Sequence, residues 1–412
     1  MIELKAPPRL RGEVELPASK SLSNRALAIG ALSGIDPGLV ENLSDCDDTR
    51  VMRQWLAEQP AVVDIGAAGT AMRFSTALLA VTPGERVITG SERMQHRPIR
   101  ILVDALRQLG ASIRYEGAEG FPPLRIAGRP LGGGRLALPG SVSSQFISAL
   151  LMIGPTMAGG LTLTLTGDIV SRPYIDMTLG LMQAFGASAR WEGDRVISVL
   201  PGGYQQHAWR VENDWSAASY WYEMMVLTDD TQAEIVLPGL LEDSLQGDSR
   251  VRALFEPLGV RTAFEPRGVR LTKAQPTAGA LEWDLVDCPD LAQTLVVTAC
   301  MRGLPFRFTG LQSLRIKETD RLAALRAEMA KLGFFLHEEN GQALAWDGAI
   351  SPTAADDIAC IATYDDHRMA LSFAPCALRR RAIRIEDPHV VSKSYPQFWA
   401  HLAQVGFSVH AL

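Results

Sequence analysis

Apolar positions along this chain recur at helical spacing in stretches that all end the same way. Each helical pattern runs into a glycine, then a small or apolar residue, then strand-like sequence. The instances are LVDALRQLGASI at Gly110, LGLMQAFGASA at Gly186, VRALFEPLGVRT at Gly259, LRAEMAKLGFFL at Gly333 and FWAHLAQVGFSV at Gly406. These glycines lie 76, 73, 74 and 73 residues apart. Glycine after the last turn is the expected helix stop, and five at a near-constant period make a repeat. The nearest earlier candidate, VMRQWLAEQP, ends near Pro60, about fifty residues before Gly110. A first unit shorter by about twenty-five residues follows, lacking the strands that would come after its helix.

A second helical stretch precedes each of these. NRALAIGALSG, TAMRFSTALLAV, SSQFISALLMIGP, DLAQTLVVTACMRG and DHRMALSFAPCAL are apolar on nearly every side, which predicts buried helices. Six units, one abbreviated, divide into two domains of three, a division that suits 412 residues. The crossing between them falls near Glu212 to Ser216. The expected class is α/β, with helices packed inside and sheets outside.

One uncharged run, Gly140 to Gly167, is long enough to raise the membrane question. Its Gly154-Pro155 and Gly159-Gly160 pairs and its LTLTLT alternation predict a buried helix, a turn and a strand instead. The start, MIELKAPPRLRGEVELP, has no apolar core, so no signal peptide is expected.

Charge narrows the function. A net charge of −6 argues against a nucleic-acid binder, so anionic substrates would have to be held by local clusters of cations. Cys46, Cys288, Cys300, Cys360 and Cys376 show no metal-ligand spacing and read as reduced cytosolic thiols. No metal site is expected.

Such cationic clusters recur where loops feed helices. In LRIKETDRLAAL, Lys317 and Arg321 are four apart and would share a helix face, beside Glu318 and the positive end of the helix. LPASKSLSNRAL sets Lys20, Ser21 and Arg25 at a junction whose helix is expected to begin near Asn24. DIGAAGTAMRFS has Gly66 and Gly69 about a turn, and it matches neither a dinucleotide nor a P-loop fingerprint. SERMQHRPIRIL places Arg93 and Arg97 before Pro98, a suitable first helical residue. Neutral hydrogen-bonding groups suited to hydroxyls come from Ser143, Ser144 and Gln145, and VSRPYIDM adds Ser171, Arg172 and Tyr174. The second half supplies Asp290, then Asp366, His367 and Arg368, and finally Lys393.

Helix capping explains the serines but not the cations. Two unit charges 4 Å apart interact by only about 1 kcal/mol in water and by about 4 at an effective dielectric of 20. Holding two anionic substrates together therefore needs several cations, such as Lys20, Arg25, Arg97, Arg321, Arg368 and Lys393. A bisubstrate enzyme is the expectation. A non-catalytic anion-binding repeat protein is the alternative, in which Asp290 and Glu318 would be expendable.

As an ordered set, SKSLSNRAL, AGTAMR, RPI, SVSSQF, SRPYID, KETDRL, DDHRMA and SKSYP, spread from Leu16 to Phe398, resemble the 5-enolpyruvylshikimate-3-phosphate synthases, an enolpyruvyl transferase family. The resemblance implies two inside-out α/β domains, each of three repeated βαβαββ-type units. It implies one domain of residues 1–16 and 214–412, a second of 17–213, and an active site in the cleft between them. The implied reaction moves the enolpyruvyl group of phosphoenolpyruvate to the 5-hydroxyl of shikimate 3-phosphate and releases phosphate, by addition to a tetrahedral intermediate and then elimination. Lys20, Ser21, Arg25, Ser143, Ser144, Gln145, Ser171, Asp290 and Lys317 would meet shikimate 3-phosphate. Lys20, Gly69, Arg97, Gln145, Arg321, Arg368 and Lys393 would hold phosphoenolpyruvate. Asp290 is assigned as base and Glu318 as acid, with Lys20 and Lys393 sharing proton traffic. No cofactor, nucleic acid or membrane is implied, and a monomer in the cytoplasm is expected.

The chain departs from the family pattern at Ala67 and Ser313, where asparagine is usual, and in its short first unit. A related enzyme that uses UDP-N-acetylglucosamine carries a cysteine just before the arginine-proline pair. GSERMQHRP has none.

Overall fold

The computed structural model describes residues 1–34, 39–351 and 358–412. The chain forms two compact units. The inner unit is Ala18–Val211, and the terminal unit joins Met1–Pro17 to Glu212–Leu412.

One rule builds every complete sheet. Two parallel strands are linked through a buried helix, as parallel pairing requires. A hairpin follows, and its second strand inserts beside the parallel pair. In the terminal unit Leu281–Asp284 runs parallel to Phe306–Thr309, which pairs antiparallel with Ala343–Trp346, and that strand pairs with His337–Glu339. In the inner unit Gly134–Pro139, Leu161–Thr166, Val196–Val199 and Ala189–Trp191 lie side by side in the same way. So do Val62–Asp64, Gly84–Thr89, Leu124–Gly128 and Ser112–Tyr115.

The N-terminal segment completes two sheets of the terminal unit. Arg11–Glu13 pairs parallel with Glu234–Pro238 and so opens one of them. Ile2–Lys5 inserts between Ile383–Ile385 and Ser408–Ala411, taking the place a hairpin strand fills elsewhere.

The first unit departs from the rule as its length predicts. Among the described residues Val40–Glu41 pairs with Trp209–Arg210 alone. Helix Asp47–Glu58 ends at Gln59, and the chain passes directly to the next unit's strand, Val62–Asp64, with no hairpin between.

Helices form the centre of each unit. Every residue of Trp215–Leu227 except Ser216 is buried. A helix with no polar face is stable only inside a core. It packs on Ala292–Arg302, which packs in turn on His367–Phe373. Lys20–Ser33, Gly69–Val81 and Ser144–Ile153 do the same in the inner unit. The strands outside alternate: in Leu161–Thr166 the leucines are buried and the threonines face outward. The five repeat glycines have φ of 100°, 80°, 93°, 89° and 99°, the left-handed region glycine enters without a Cβ clash.

Three helix starts differ from expectation. The first helix begins at Lys20 rather than near Asn24, because Ser19 Oγ accepts Leu22 N–H at 3.4 Å and Ser19 O accepts Ser23 N–H at 2.9 Å. The helix after Pro98 begins at Arg100, since Ile99 sits at φ −134° and ψ 0°. Lys317 lies outside the helix Arg321–Lys331, so it and Arg321 do not share a helical face. The run Gly140 to Gly167 is helix Ser144–Ile153, a 3-10 turn and strand Leu161–Thr166. Among the described residues no helix is long and apolar enough to cross a membrane.

Candidate active site

In the terminal unit, three helix starts converge on Asp290. The residue itself sits on the 3-10 turn Pro289–Leu291 ahead of helix Ala292–Arg302. Arg321 opens helix Arg321–Lys331, capped by Asp320, whose Oδ1 accepts Ala323 N–H at 3.2 Å. Arg368 lies in the first turn of His367–Phe373, where Asp366 accepts its N–H at 2.9 Å. Asp290 takes Arg321 Nη1 at 3.1 Å and Arg368 Nη2 at 2.8 Å, with Lys317 Nζ 3.8 Å away.

Arg321 is almost wholly buried, with 2% of its side chain exposed. Its Nε donates to Asp366 at 2.7 Å and its Nη2 to Glu318 at 3.0 Å. Burial pulls its pKa down, but Asp366, Glu318 and Asp290 more than offset that and leave it above its ordinary value. A buried cation without such partners would cost several kcal/mol. The anion site expected at Lys317 and Arg321 is thus lined by the protein's own carboxylates, with Lys317 brought in through Asp290 and not by helical spacing.

Further groups complete the cluster. Arg368 Nη1 donates to Tyr220 Oη at 3.3 Å, and burial pushes the Tyr220 phenol up to about 12 against the pull of Arg368. Asp248 is buried and receives the Ser216 hydroxyl. Burial, then the nearby Asp290 charge, pushes Asp248 up to about 6, with Arg368 opposing. Lys393 Nζ donates to Asp365 O at 2.5 Å. Sequence reasoning passed over Asp248 and Tyr220, because one stands in a polar turn and the other in an apolar helix.

In the inner unit, Lys20 and Ser21 occupy the first turn of Lys20–Ser33. Arg25 lies one turn on and is 2% exposed. Its Nε donates to Thr178 Oγ1 at 2.7 Å, its Nη1 to Ser21 O at 2.9 Å, and its Nη2 to Ser148 Oγ and Tyr174 O, each at 3.2 Å. Four of five guanidinium hydrogens are committed, so Arg25 ties three helices together. Burial lowers its pKa to about 10.

Gly69 opens helix Gly69–Val81, and the space beside it belongs to Arg97. A Cβ at Gly69 would lie 2.6 Å from Arg97 Nη1 and 3.2 Å from Arg73 Nη1. Asp48, on helix Asp47–Glu58, caps this helix from outside by accepting Thr70 N–H at 3.0 Å. Thr70 Oγ1 accepts Gln145 Nε2 at 3.1 Å, which joins Gln145 to the Gly69 turn. Ser143 caps Ser144–Ile153. Ser171, ahead of Arg172–Ala184, is buried with φ 57° and ψ 39°, a left-handed conformation that costs a non-glycine residue about 1–3 kcal/mol. Arg172 turns away instead, its guanidinium carbon 4.2 Å from the Trp191 ring centre. Ala67 is exposed in the Gly66–Gly69 turn. Among the described residues no three His, Cys, Asp or Glu are placed to hold a metal.

The family model described as "EPSP synthase (3-phosphoshikimate 1-carboxyvinyltransferase)" matches residues 4–59 and 52–402. A 3-phosphoshikimate 1-carboxyvinyltransferase of Bacteroides fragilis is 56% identical over 406 residues, covering 98% of each chain. One from Vibrio cholerae is 36% identical, covering 96% of this chain and 97% of its own. An EPSP synthase structure from Acinetobacter baumannii superposes with a TM-score of 0.78 at 21% identity, over the full length of both, a likeness of fold.

Proposed function

We propose that this chain, which belongs to the EPSP synthase (3-phosphoshikimate 1-carboxyvinyltransferase) family, works through the two clusters just described. It transfers the enolpyruvyl group of phosphoenolpyruvate to shikimate 3-phosphate and releases phosphate, a step of aromatic amino acid biosynthesis.

The proposed roles follow from charge and donor geometry. Asp290 accepts the proton of the 5-hydroxyl as its oxygen bonds to C2 of phosphoenolpyruvate. Glu318 gives a proton to the methylene carbon, forming the tetrahedral adduct. In the elimination that follows, Glu318 takes a proton back from the methyl group and the C2–phosphate bond breaks. Arg321 touches both carboxylates and so fixes their relative positions. That shared guanidinium is the observation that carries the assignment. A substrate carboxylate arriving at Arg321 and Arg368 shares their charge and frees Glu318 to carry a proton.

Lys20, Arg97 and Lys393 supply charge for phosphoenolpyruvate and the leaving phosphate, with Lys20 and Lys393 also relaying protons. Ser21, Ser143, Ser144, Gln145, Ser171 and Lys317 meet the shikimate moiety. Arg25 acts on the phosphate through its remaining hydrogen and through the helix start it braces. A monomeric, cytoplasmic enzyme is part of this proposal, and sedimentation velocity tests the first half.

Phosphate release on mixing the two substrates tests the reaction, with UDP-N-acetylglucosamine as the control acceptor. Asp290→Asn should lower kcat by about 10²–10⁴ while the fold persists. Unchanged turnover would remove Asp290 as the base.

A further inference from the structure

The abbreviated first unit leaves a face that its counterparts cover. Helices Lys20–Ser33, Asp47–Glu58 and Gly69–Val81 pack on one another, and among the described residues the first two have as their own sheet the strand pair Val40–Glu41 and Trp209–Arg210. A groove of about 990 Å³ opens there. That is the size of a small-molecule site, about 300–1,000 Å³. Its lining is mostly apolar, with Leu27, Trp55 and Leu78 buried beneath and Leu56 half-exposed.

The polar part of the lining has one sign. Among the described residues no Asp or Glu lines the groove, and three arginines do. Arg50 is paired with Asp47. Among the described residues Arg86 donates only to neutral oxygens, Pro83 O at 3.3 Å and Gln59 Oε1 at 3.4 Å. Arg53 is exposed and makes no hydrogen bond or ion pair among the described residues. Two guanidinium groups without a carboxylate partner among the described residues therefore border an apolar floor. Guanidinium is the side chain best shaped to grip an oxyanion through two parallel N–H bonds.

We propose that this groove binds an amphiphilic anion: an alkyl or aryl group on Leu27, Trp55 and Leu78, its carboxylate or sulfonate at Arg53 and Arg86. Volume, apolar floor and unneutralised charge select this class together. The site stands apart from the residues assigned to catalysis and does not depend on those assignments.

The test is fluorescence titration of the full chain with 8-anilinonaphthalene-1-sulfonate. Binding should saturate at one molecule per chain, and decanoate should compete where decylamine does not. Arg53→Glu should weaken it roughly 10-fold or more, the worth of a charge-assisted hydrogen bond. Arg53→Lys should retain most of the affinity, and Arg261→Glu, on the terminal unit, should change nothing. Arg53 is exposed, so these variants should melt as the parent does. Displacement of the dye by saturating shikimate 3-phosphate and phosphoenolpyruvate would assign it to the catalytic clusters and overturn the proposal. So would a lack of saturation, equal competition by decylamine, or indifference to Arg53→Glu.

Discussion

At Arg321 one guanidinium divides its hydrogen bonds among Asp366, Asp290 and Glu318. Removing the proton-carrying capacity of one partner while keeping its shape is the cleanest probe. Glu318→Gln should lower kcat by about 10²–10⁴ and change substrate KM far less. A defect confined to KM would make Glu318 a binding group. Gly69 offers a second probe. Its missing Cβ is what lets Arg97 lie against the helix start. Gly69→Ala should push that guanidinium aside and raise KM for phosphoenolpyruvate more than for shikimate 3-phosphate, and equal rises would count against it. Glu223 belongs to the core: it is fully buried, and neither carboxylate oxygen has a hydrogen-bond partner among the described residues. Burial holds its pKa well above the ordinary 4.5. A raised carboxyl stabilises below the unfolded value, and that stability is lost as pH rises towards the folded one. Glu223→Leu should therefore raise Tm, by the equivalent of about 1–3 kcal/mol, and by more at pH 8 than at pH 5. A pH-independent or negative shift in scanning calorimetry would contradict this.

Among the elements, the helices depend on specific caps. Asp214 caps Trp215–Leu227 by accepting Ala217 N–H at 2.9 Å, and its own N–H donates to Pro17 O at 2.9 Å. Asp214→Ala should cost about 0.5–2 kcal/mol, read from the denaturation midpoint, whereas Asp214→Ser should restore most of it. Helix ends were legible in the sequence because a left-handed residue favours glycine, as at Gly259 and Gly333. Helix starts were less so. Ser19, Ser21 and Ser23 are all possible caps, and only tertiary packing selects Ser19. The clustering of Arg321, Arg368 and Lys317 was legible as charge, but their common partner Asp290 lies tens of residues away in sequence. No local pattern reports such a pairing. The missing hairpin of the first unit showed in the count of residues. The insertion of Ile2–Lys5 into the last sheet did not, since strand order is set by contacts some 380 positions apart.

For the whole molecule, that insertion has a consequence in time. The strand Ile2–Lys5 is made well before its partners Ile383–Ile385 and Ser408–Ala411, which lie some 380 positions or more further along the chain. At about 5–20 residues per second, the ribosome needs roughly 20–80 s to supply them. The inner unit, contiguous from Ala18 to Val211, has all its strands long before then. It should resist protease on stalled ribosomes while the terminal unit is still cut, and equal sensitivity of both would refute this order. The emerging chain must therefore carry Ile2–Lys5 as an unpaired β-strand until those partners appear. Loss of the strand Ser408–Ala411 should leave one edge of Ile2–Lys5 exposed, so that a stop codon late in the message undoes a strand made some 400 residues earlier.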